Sequence, residues 1–276
     1  MRKTLKRTFA FFLLICSVAH RARSEDTIAW RGDHVIDAPV LLGGRTLRIA
    51  PGSRIAFKGK GRLDVGGLVA TGAVFEARST LTNAFRISQS GGRLELNSCR
   101  FRGMKAERPA KEHFLRGFLM SVARPGARVL RCTFSDCSPL MLVNAKNAEI
   151  GENLVKSCAE GVYLLDCTEC VVRANEFFNA TDTALLVCGT RLSDFMANRF
   201  TDCATGLTVR YCGSNRFVGN AFFGNEEGVL LQDVKPENRF VGTRFETCGR
   251  TFSMRGKPPG CVIRGTMVDG CGGERK

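Results

Sequence analysis

Histidine is nearly missing from this sequence, with three in 276 residues. One of them, His20, falls in an N-terminal apolar stretch, so the rest of the chain has only His34 and His113. Histidine-based acid–base or metal chemistry therefore has little material to work with. No segment of useful length repeats its apolar residues at a helical period, which argues against a helical bundle. Tryptophan occurs once, at Trp30, and reads as core filling rather than as a sugar-stacking platform. The apolar run over residues 9–19 is too short to cross a bilayer.

That run has the marks of a secretory leader. Arg2, Lys3, Lys6 and Arg7 precede it, and Ala22-Arg23-Ser24 supplies small residues at a spacing suited to signal-peptidase cleavage. Residues 1–24 are thus expected to be a signal peptide. The leader holds six of the 41 basic residues and no acidic ones, so 35 basic against 26 acidic residues remain, a net charge of +9. Such an excess favours polyanionic partners. An exported protein meets acidic polysaccharide, anionic envelope polymer or lipid headgroups rather than nucleic acid.

What the sequence has in abundance is a repeat. From residue 132 onward a pattern returns every 21 to 23 residues: Asn153/Val155/Cys158/Gly161, Asn175/Phe177/Ala180/Thr183, Asn198/Phe200/Cys203/Gly206 and Asn220/Phe222/Asn225/Gly228. Cys132/Phe134/Cys137/Leu140 opens the series and Thr243/Phe245/Cys248/Thr251 continues it. One copy is too short to bury its own apolar face, so copies must stack, and a period near 22 with several short strands predicts one coil of a β-solenoid.

Read in order, residues 25–46 are expected to cap the column and residues 47–276 to wind it. The stretch from Leu47 alternates apolar and polar residues in short runs (Leu47/Ile49, Ile55/Phe57, Leu63/Val65) separated by glycines, as early coils should. Between Cys99 and Cys132 the spacing widens to 33 residues, which implies a basic insertion at about 103–116 containing Lys105, Arg108, Lys111, His113 and Arg116. Thr266/Val268/Cys271 restarts the pattern near the C-terminus without an evident cap.

Stacking turns equivalent positions into direct neighbours. Val129, Ile150, Val172, Phe195, Phe217, Phe240 and Ile263 are expected to form one apolar column, and Asn153, Asn175, Asn198 and Asn220 a hydrogen-bonded amide ladder. Most cysteines fall at shared repeat positions and read as buried small hydrophobes, although adjacent-coil pairs such as Cys137–Cys158 or Cys248–Cys271 would lie within disulfide range. Cys167-Thr168-Glu169-Cys170 is a lone C-x-x-C without the second pair a structural metal site would need. In the following strand Met141/Val143, Val162/Leu164, Ala184/Leu186, Leu207/Val209 and Val229/Leu231 are expected inward. Leu142, Tyr163, Leu185, Thr208 and Leu230 are then expected outward, with Leu119 extending the row. An outward apolar row needs a cover: the insertion, a second chain, or a ligand.

The stretches "VVRANEFFNATDTALLV", "FMANRFTDCATGLTV" and "RFVGNAFFGNEEGVLL", with "LRIAPGSRIAFKGKGRLDVGGLVATGA" as opening coils, resemble the right-handed parallel β-helix proteins of the pectin lyase-like superfamily, in particular the NosD-type periplasmic and secreted group. The resemblance covers about residues 45–271 and implies an all-β, single-stranded right-handed parallel β-helix. It specifies activity poorly, because that architecture hosts lyases, hydrolases, epimerases and binders. The Asp-Pro-His-Asp run of the alginate epimerases and the Asn-Thr-Asp and Gly-His-Gly motifs of the galacturonan hydrolases are missing here. Lyases of the superfamily use clustered aspartates for calcium with an Arg or Lys base, and the matching candidates are Asp166, Asp182 and Asp233 with Arg210.

Three functions follow from these readings. The first is non-catalytic binding of acidic polysaccharide or envelope polymer through Arg128, Arg216 and Arg239, which share an outward repeat position, with Tyr163. The second is a polysaccharide lyase built on Asp166, Asp182, Asp233 and Arg210, with calcium as cofactor in that case alone. The third is an assembly module that self-associates through the Leu142/Leu185/Leu230 row.

Overall fold

The computed structural model describes residues 26–59, 61–77, 86–90, 92–105, 119–122, 126–256 and 260–271. The expected leader, 1–24, lies outside them, as does the part of the expected insertion beyond Lys105. The chain winds as a coil whose every turn gives one strand to each of three parallel sheets. The first sheet runs from Thr27–Trp30 to Val262–Arg264 and the second from Asp33–Ile36 to Met267–Asp269, each with 11 strands. The third, from Pro39–Leu41 to Arg250–Arg255, has 10 among the described residues. Residues 26–41, the expected cap, supply the first coil, and its three strands pair in parallel with the coil above.

Short strands and tight corners explain the repeat length. Strands of the first two sheets are three or four residues long through most of the column, while those of the third reach six, as in Thr183–Cys188 and Glu227–Gln232. Between the first and second sheets the chain turns on a single left-handed residue followed by the ladder asparagine: Glu152 before Asn153, Ala174 before Asn175, Ala197 before Asn198. A left-handed conformation costs an L-residue about 1–2 kcal/mol, so something must hold it, and the asparagine does. Asn175 donates through Nδ2 to Ile150 O at 3.0 Å in the coil before and to Asn198 Oδ1 at 2.9 Å in the coil after, and its backbone N–H also reaches Asn198 Oδ1 at 3.1 Å. Asn153 and Asn198 repeat the arrangement.

The interior is the expected column. Phe177, Phe200 and Phe222 stack at 4.9 and 4.7 Å between ring centroids, and Phe195, Phe217 and Phe240 stack at 4.7 and 4.4 Å. Near-parallel rings one coil apart follow directly from the strand spacing of about 4.8 Å. The row from Val129 to Ile263 runs in register throughout. A second amide ladder, not expected from the sequence, joins the third sheet to the first: Ser193 N donates to Asn215 Oδ1 at 3.1 Å, and Asn215 Nδ2 to Asn238 Oδ1 at 3.2 Å.

The third sheet corrects the expected facing at two coils. Leu140 and Leu142 pair with Val162 and Leu164 and lie in the main core, so Met141 and Val143 face outward. Likewise Leu185 and Val187 face inward and Leu186 outward. Leu142 and Leu185 are therefore core residues and cannot belong to an outward row, whereas Tyr163, Thr208 and Leu230 do share it, with Met141 and Leu186 in the missing places. Leu119 pairs with Leu140, in the register of the inward row, so its position does not extend the outward one, where Met120 aligns with Met141.

Two substitutions separate these roles. Asn198→Ala strands the amide donors of Asn175 and the carbonyl of Val172, and is expected to destabilise by about 3 kcal/mol or more. Leu185→Ala opens a core cavity and should cost about 2–5 kcal/mol. Denaturant midpoints followed by circular dichroism check both, and a Leu185→Ala protein as stable as the parent would return Leu185 to the surface.

Candidate functional site

The outward face of the third sheet gathers most of the sequence-predicted site. Met141, Val143, Tyr163, Leu165 and Leu186 form a buried apolar cluster separate from the column, with Cys188 packed against it. Polar groups interrupt it at one end. The Tyr163 hydroxyl hydrogen-bonds Glu160 and feels the charges of Asp182 and Arg210. Burial, then the Glu160 carboxylate, holds its proton on well beyond the ordinary phenol range. Thr183 Oγ1 lies 3.3 Å from Thr208 Oγ1 and donates to Asp182 Oδ1 at 3.3 Å. Arg210 Nε is buried with no hydrogen-bond partner among the described residues. Glu227, 4% exposed, has its Oε1 in the same condition, 3.6 Å from Arg250 Nη2.

The three candidate carboxylates do not converge. Asp166 and Asp233 each follow the end of a third-sheet strand, in one row, with Gly189 and Tyr211 on the coils between them. Three coil steps put them about 14 Å apart. Asp182 precedes the strand Thr183–Cys188, at the opposite edge of the sheet. Asp166 and Asp233 are left-handed turn residues. Each carboxylate leans across the next coil into space that a Cβ on Gly189 or Gly256 would occupy. Burial raises the Asp166 carboxyl, offset by the Arg191 charge. Burial, then the Asp166 charge, pushes the Cys188 thiol up to about 11.

Calcium would need several of these carboxylates together, and among the described residues no group of three His, Cys, Asp or Glu side chains is placed to hold a metal ion. His34 is engaged otherwise, stacked on Trp30 at 4.6 Å with Nε2 3.1 Å from Arg31 O. The cysteines of the C-x-x-C, Cys167 and Cys170, are buried free thiols bonded to one another and to backbone carbonyls.

The arginine row on the first sheet splits in two. Arg128 pairs with Glu149, which also takes Arg173, while Arg173 and Arg131 reach Glu152, so this end is a neutralised network. Four coils beyond Arg128, Arg216 and Arg239 are direct neighbours. Arg216 reaches Asp194 only at 3.5 Å, and Arg239 makes no ion pair among the described residues. Around the asparagine corner, on the second sheet, Arg199 lies 4.0 Å over the Phe223 ring and Arg244 5.6 Å from it. Four arginines and an aromatic face thus occupy three successive coils, Arg216 and Arg239 at the start of their first-sheet strands next to Asn215 and Asn238, and Arg199 and Arg244 at the start of their second-sheet strands, with Arg244 paired to Glu246 at 2.8 Å. The sequence held the signal for Arg199 and Arg244, which fall one residue after the ladder position in alternate coils.

Residues 118–252, just under half of the chain, match the family described as Periplasmic copper-binding protein (NosD). Among solved structures, the Streptococcus pneumoniae surface protein and adhesin PfbA superposes with a TM-score of 0.56 at 8% identity, over 90% of this chain and 90% of that one. Two variants of the periplasmic alginate epimerase AlgG give TM-scores of 0.56 and 0.53 at 9% and 10% identity, over 86% of this chain and 78% of theirs. The chain is a right-handed parallel β-helix, the fold these structures share. No curated protein matches its sequence. At these identities the solved structures establish its fold alone.

The neutralised network gives a pH prediction. Hydrogen bonding to Arg173, followed by the charge of Arg128, holds the Glu149 carboxyl below its ordinary value. A depressed folded-state value contributes stability that is complete above the unfolded carboxylate range and lost as pH falls through the folded value. Arg173→Ala should therefore destabilise the fold slightly at neutral pH, by about 0.5–1 kcal/mol for so exposed a pair, and lower the melting temperature accordingly. It should also flatten the acid limb of the melting curve, and an unchanged acid limb would remove Glu149 from that role.

Proposed function

We propose that this β-helix binds an acidic polysaccharide or envelope polymer without cleaving it, along the outward faces of the first two sheets. The observation that carries this is the set of outward arginines on three successive coils, Arg216 and Arg239 on the first sheet and Arg199 and Arg244 with Phe223 on the second. In-register stacking places cations at the strand repeat, a spacing that a linear polyanion can follow. Arg199 and Arg239 have no carboxylate neutralising them, so their charge is available to a ligand, and Phe223 offers an apolar face against which a sugar ring can lie. The net charge of +9 beyond the leader draws such a polymer in from a distance. Arg128, in its ion-paired network, contributes less, and Tyr163 is buried.

A lyase reading is favoured by one cluster, Tyr163 with Asp182 and Arg210, which sets a proton donor, a carboxylate and a cation close together. The donor set does not fit calcium, because Asp166 and Asp233 are three coils apart and Asp182 lies at the other edge of the sheet. No metal-assisted step is therefore derived. The copper named in the matching family likewise finds no three-ligand set among the described residues.

Retention on immobilised alginate or another polyuronate tests the proposal. The parent should elute at a salt concentration that falls sharply for Arg199→Ala/Arg239→Ala, with affinity weakened about tenfold at two exposed ionic contacts. Arg128→Ala should elute close to the parent. Equal losses for Arg128→Ala and the double variant would reduce the effect to net charge and remove Arg199 and Arg239 as the site. Unsaturated product absorbing in the ultraviolet on incubation with polyuronates would replace binding by lyase activity.

A further inference from the structure

Cysteine is placed unevenly along the column, and its placement is in register. In the row at the corner between the first and second sheets Ser53 and Ala73 are followed by Cys99 and Cys132, after which it continues as the asparagine ladder, Cys132 N donating to Asn153 Oδ1 at 2.8 Å. In the row of the turn after the second sheet Met104 is followed by Cys137 and Cys158, and the last two described members are Cys248 and Cys271. Between those two pairs Cys203 stands alone in its row, with Ala180 on the coil before and Asn225 on the coil after. Each pair therefore has one possible partner along its row.

Within the pairs the sulfurs are side by side. The thiols of Cys99 and Cys132 hydrogen-bond one another, as do those of Cys137 and Cys158. Cys137 N donates to Cys158 Sγ at 3.4 Å, and Cys248 N donates to Cys271 Sγ at 3.3 Å, the same contact at both ends of one row. Directly stacked coils bring the Cα atoms to about 4.8 Å, inside the 4.4–6.8 Å that a disulfide spans.

We propose that Cys99–Cys132, Cys137–Cys158 and Cys248–Cys271 are disulfide staples, closed by a disulfide-bearing donor as the chain folds in its oxidising compartment. One cysteine thiolate attacks the donor disulfide and releases the first donor thiol. The second cysteine then attacks the mixed disulfide at the sulfur of the first and releases the other donor thiol. Two cysteine thiols are oxidised, the donor disulfide is reduced to two thiols, and both protons pass to donor sulfurs. Cys99, Cys132, Cys137 and Cys158 are all at most 3% exposed, so exchange occurs before neighbouring coils close over them and the bonds are then shielded.

The staples sit where stacking alone is weakest. A solenoid is held coil to neighbouring coil, so its weak interfaces are breaks in the repeat and open ends. Cys99 and Cys132 bracket the 33-residue interval that interrupts the period, and Cys137–Cys158 joins the next two coils beyond it. Cys248–Cys271 ties the last coil, where Met254, Ile263 and Val268 continue inward rows yet are 56%, 39% and 58% exposed. The coils between have no adjacent cysteine pair in these rows and are joined by asparagine ladders and stacked phenylalanines, and a phenylalanine stack, Phe101 on Phe134 at 5.0 Å, also spans the first staple. The inference rests on export and not on the polymer reading, so either can fail alone.

The test uses the full chain exported to a bacterial periplasm, denatured in alkylating reagent without reductant, and mapped by peptide mass before and after reduction. Three linked peptide pairs joining Cys99 to Cys132, Cys137 to Cys158 and Cys248 to Cys271 are expected, with Cys203 alkylated from the start. Alkylation of all six paired cysteines without reductant would overturn the proposal and leave them as small hydrophobes, and links to other partners would also overturn it. Reductant should lower the melting temperature of the parent and of Cys203→Ser by the same several degrees. It should lower that of Cys99→Ser/Cys132→Ser by visibly less. A parent whose melting is indifferent to reductant would count against the staples even if that double variant does not fold.

Discussion

Register between coils governs this molecule. Parallel strands stack at about 4.8 Å, so each side chain meets its own repeat equivalents above and below before it meets anything else. A buried polar residue is fully satisfied there when it can bond in both directions. Asparagine has a donor and an acceptor on one rigid amide and links three coils at once, which is why Asn153 to Asn220 can occupy a corner with almost no solvent contact. Threonine cannot. Where the row passes to Thr243 and Thr266, their Oγ1 atoms find no partner among the described residues, and the column opens toward its exposed final coil.

The same constraint decides what a sequence reader can see. Period, column, amide ladder and phenylalanine stacks were legible because each repeats a distinctive residue at a fixed offset. Facing in the third sheet was legible only where a polar side chain marked the outward position: Tyr163 in "VYLL", Thr208 in "LTVR". In "LMLV" and "TALLVC" every residue tolerates burial, alternation carries no sign, and a slip of one residue exchanges core for surface. Leu142 and Leu185 were misplaced for that reason. The Asn215–Asn238 ladder escaped notice because its coil above holds Ser193, so the repeat is chemical rather than literal.

Charges obey register as well. Like charges on adjacent coils repel at strand distance, and most of the first-sheet outward row avoids this by alternation, with Glu95, Arg128 and Glu149 successive in register. Arg216 beside Arg239 departs from that rule. The departure coincides with Arg199 and Arg244 around the corner, and a cluster that raises self-repulsion without a compensating carboxylate at Arg239 is the kind of local inconsistency that binding surfaces carry. A row of arginines was visible in the sequence. That Arg128 is tied into a network while Arg239 makes no ion pair among the described residues was not, because the neutralising Glu149 and Glu152 lie a full coil away from the residues they pair with.

The aspartates show why spacing in this fold misleads when read for chemistry. Asp166, Asp202 and Asp233 all adopt left-handed conformations at strand ends, a geometry aspartate tolerates better than most residues. The repeat therefore generates rows of carboxylates for reasons of turn formation alone. A catalytic or metal-binding set would instead need carboxylates on adjacent coils of one row, or on both sides of one strand facing a common space. Asp166 and Asp233 are separated by Gly189 and Tyr211, and the glycine is there because the Asp166 carboxylate already fills the position its side chain would take. Turn packing accounts for both residues of that pair, so the weight of a functional argument falls on groups the fold does not itself require: Arg199 and Arg239, which no carboxylate neutralises among the described residues, and the buried Arg210 Nε, which has no hydrogen-bond partner among them.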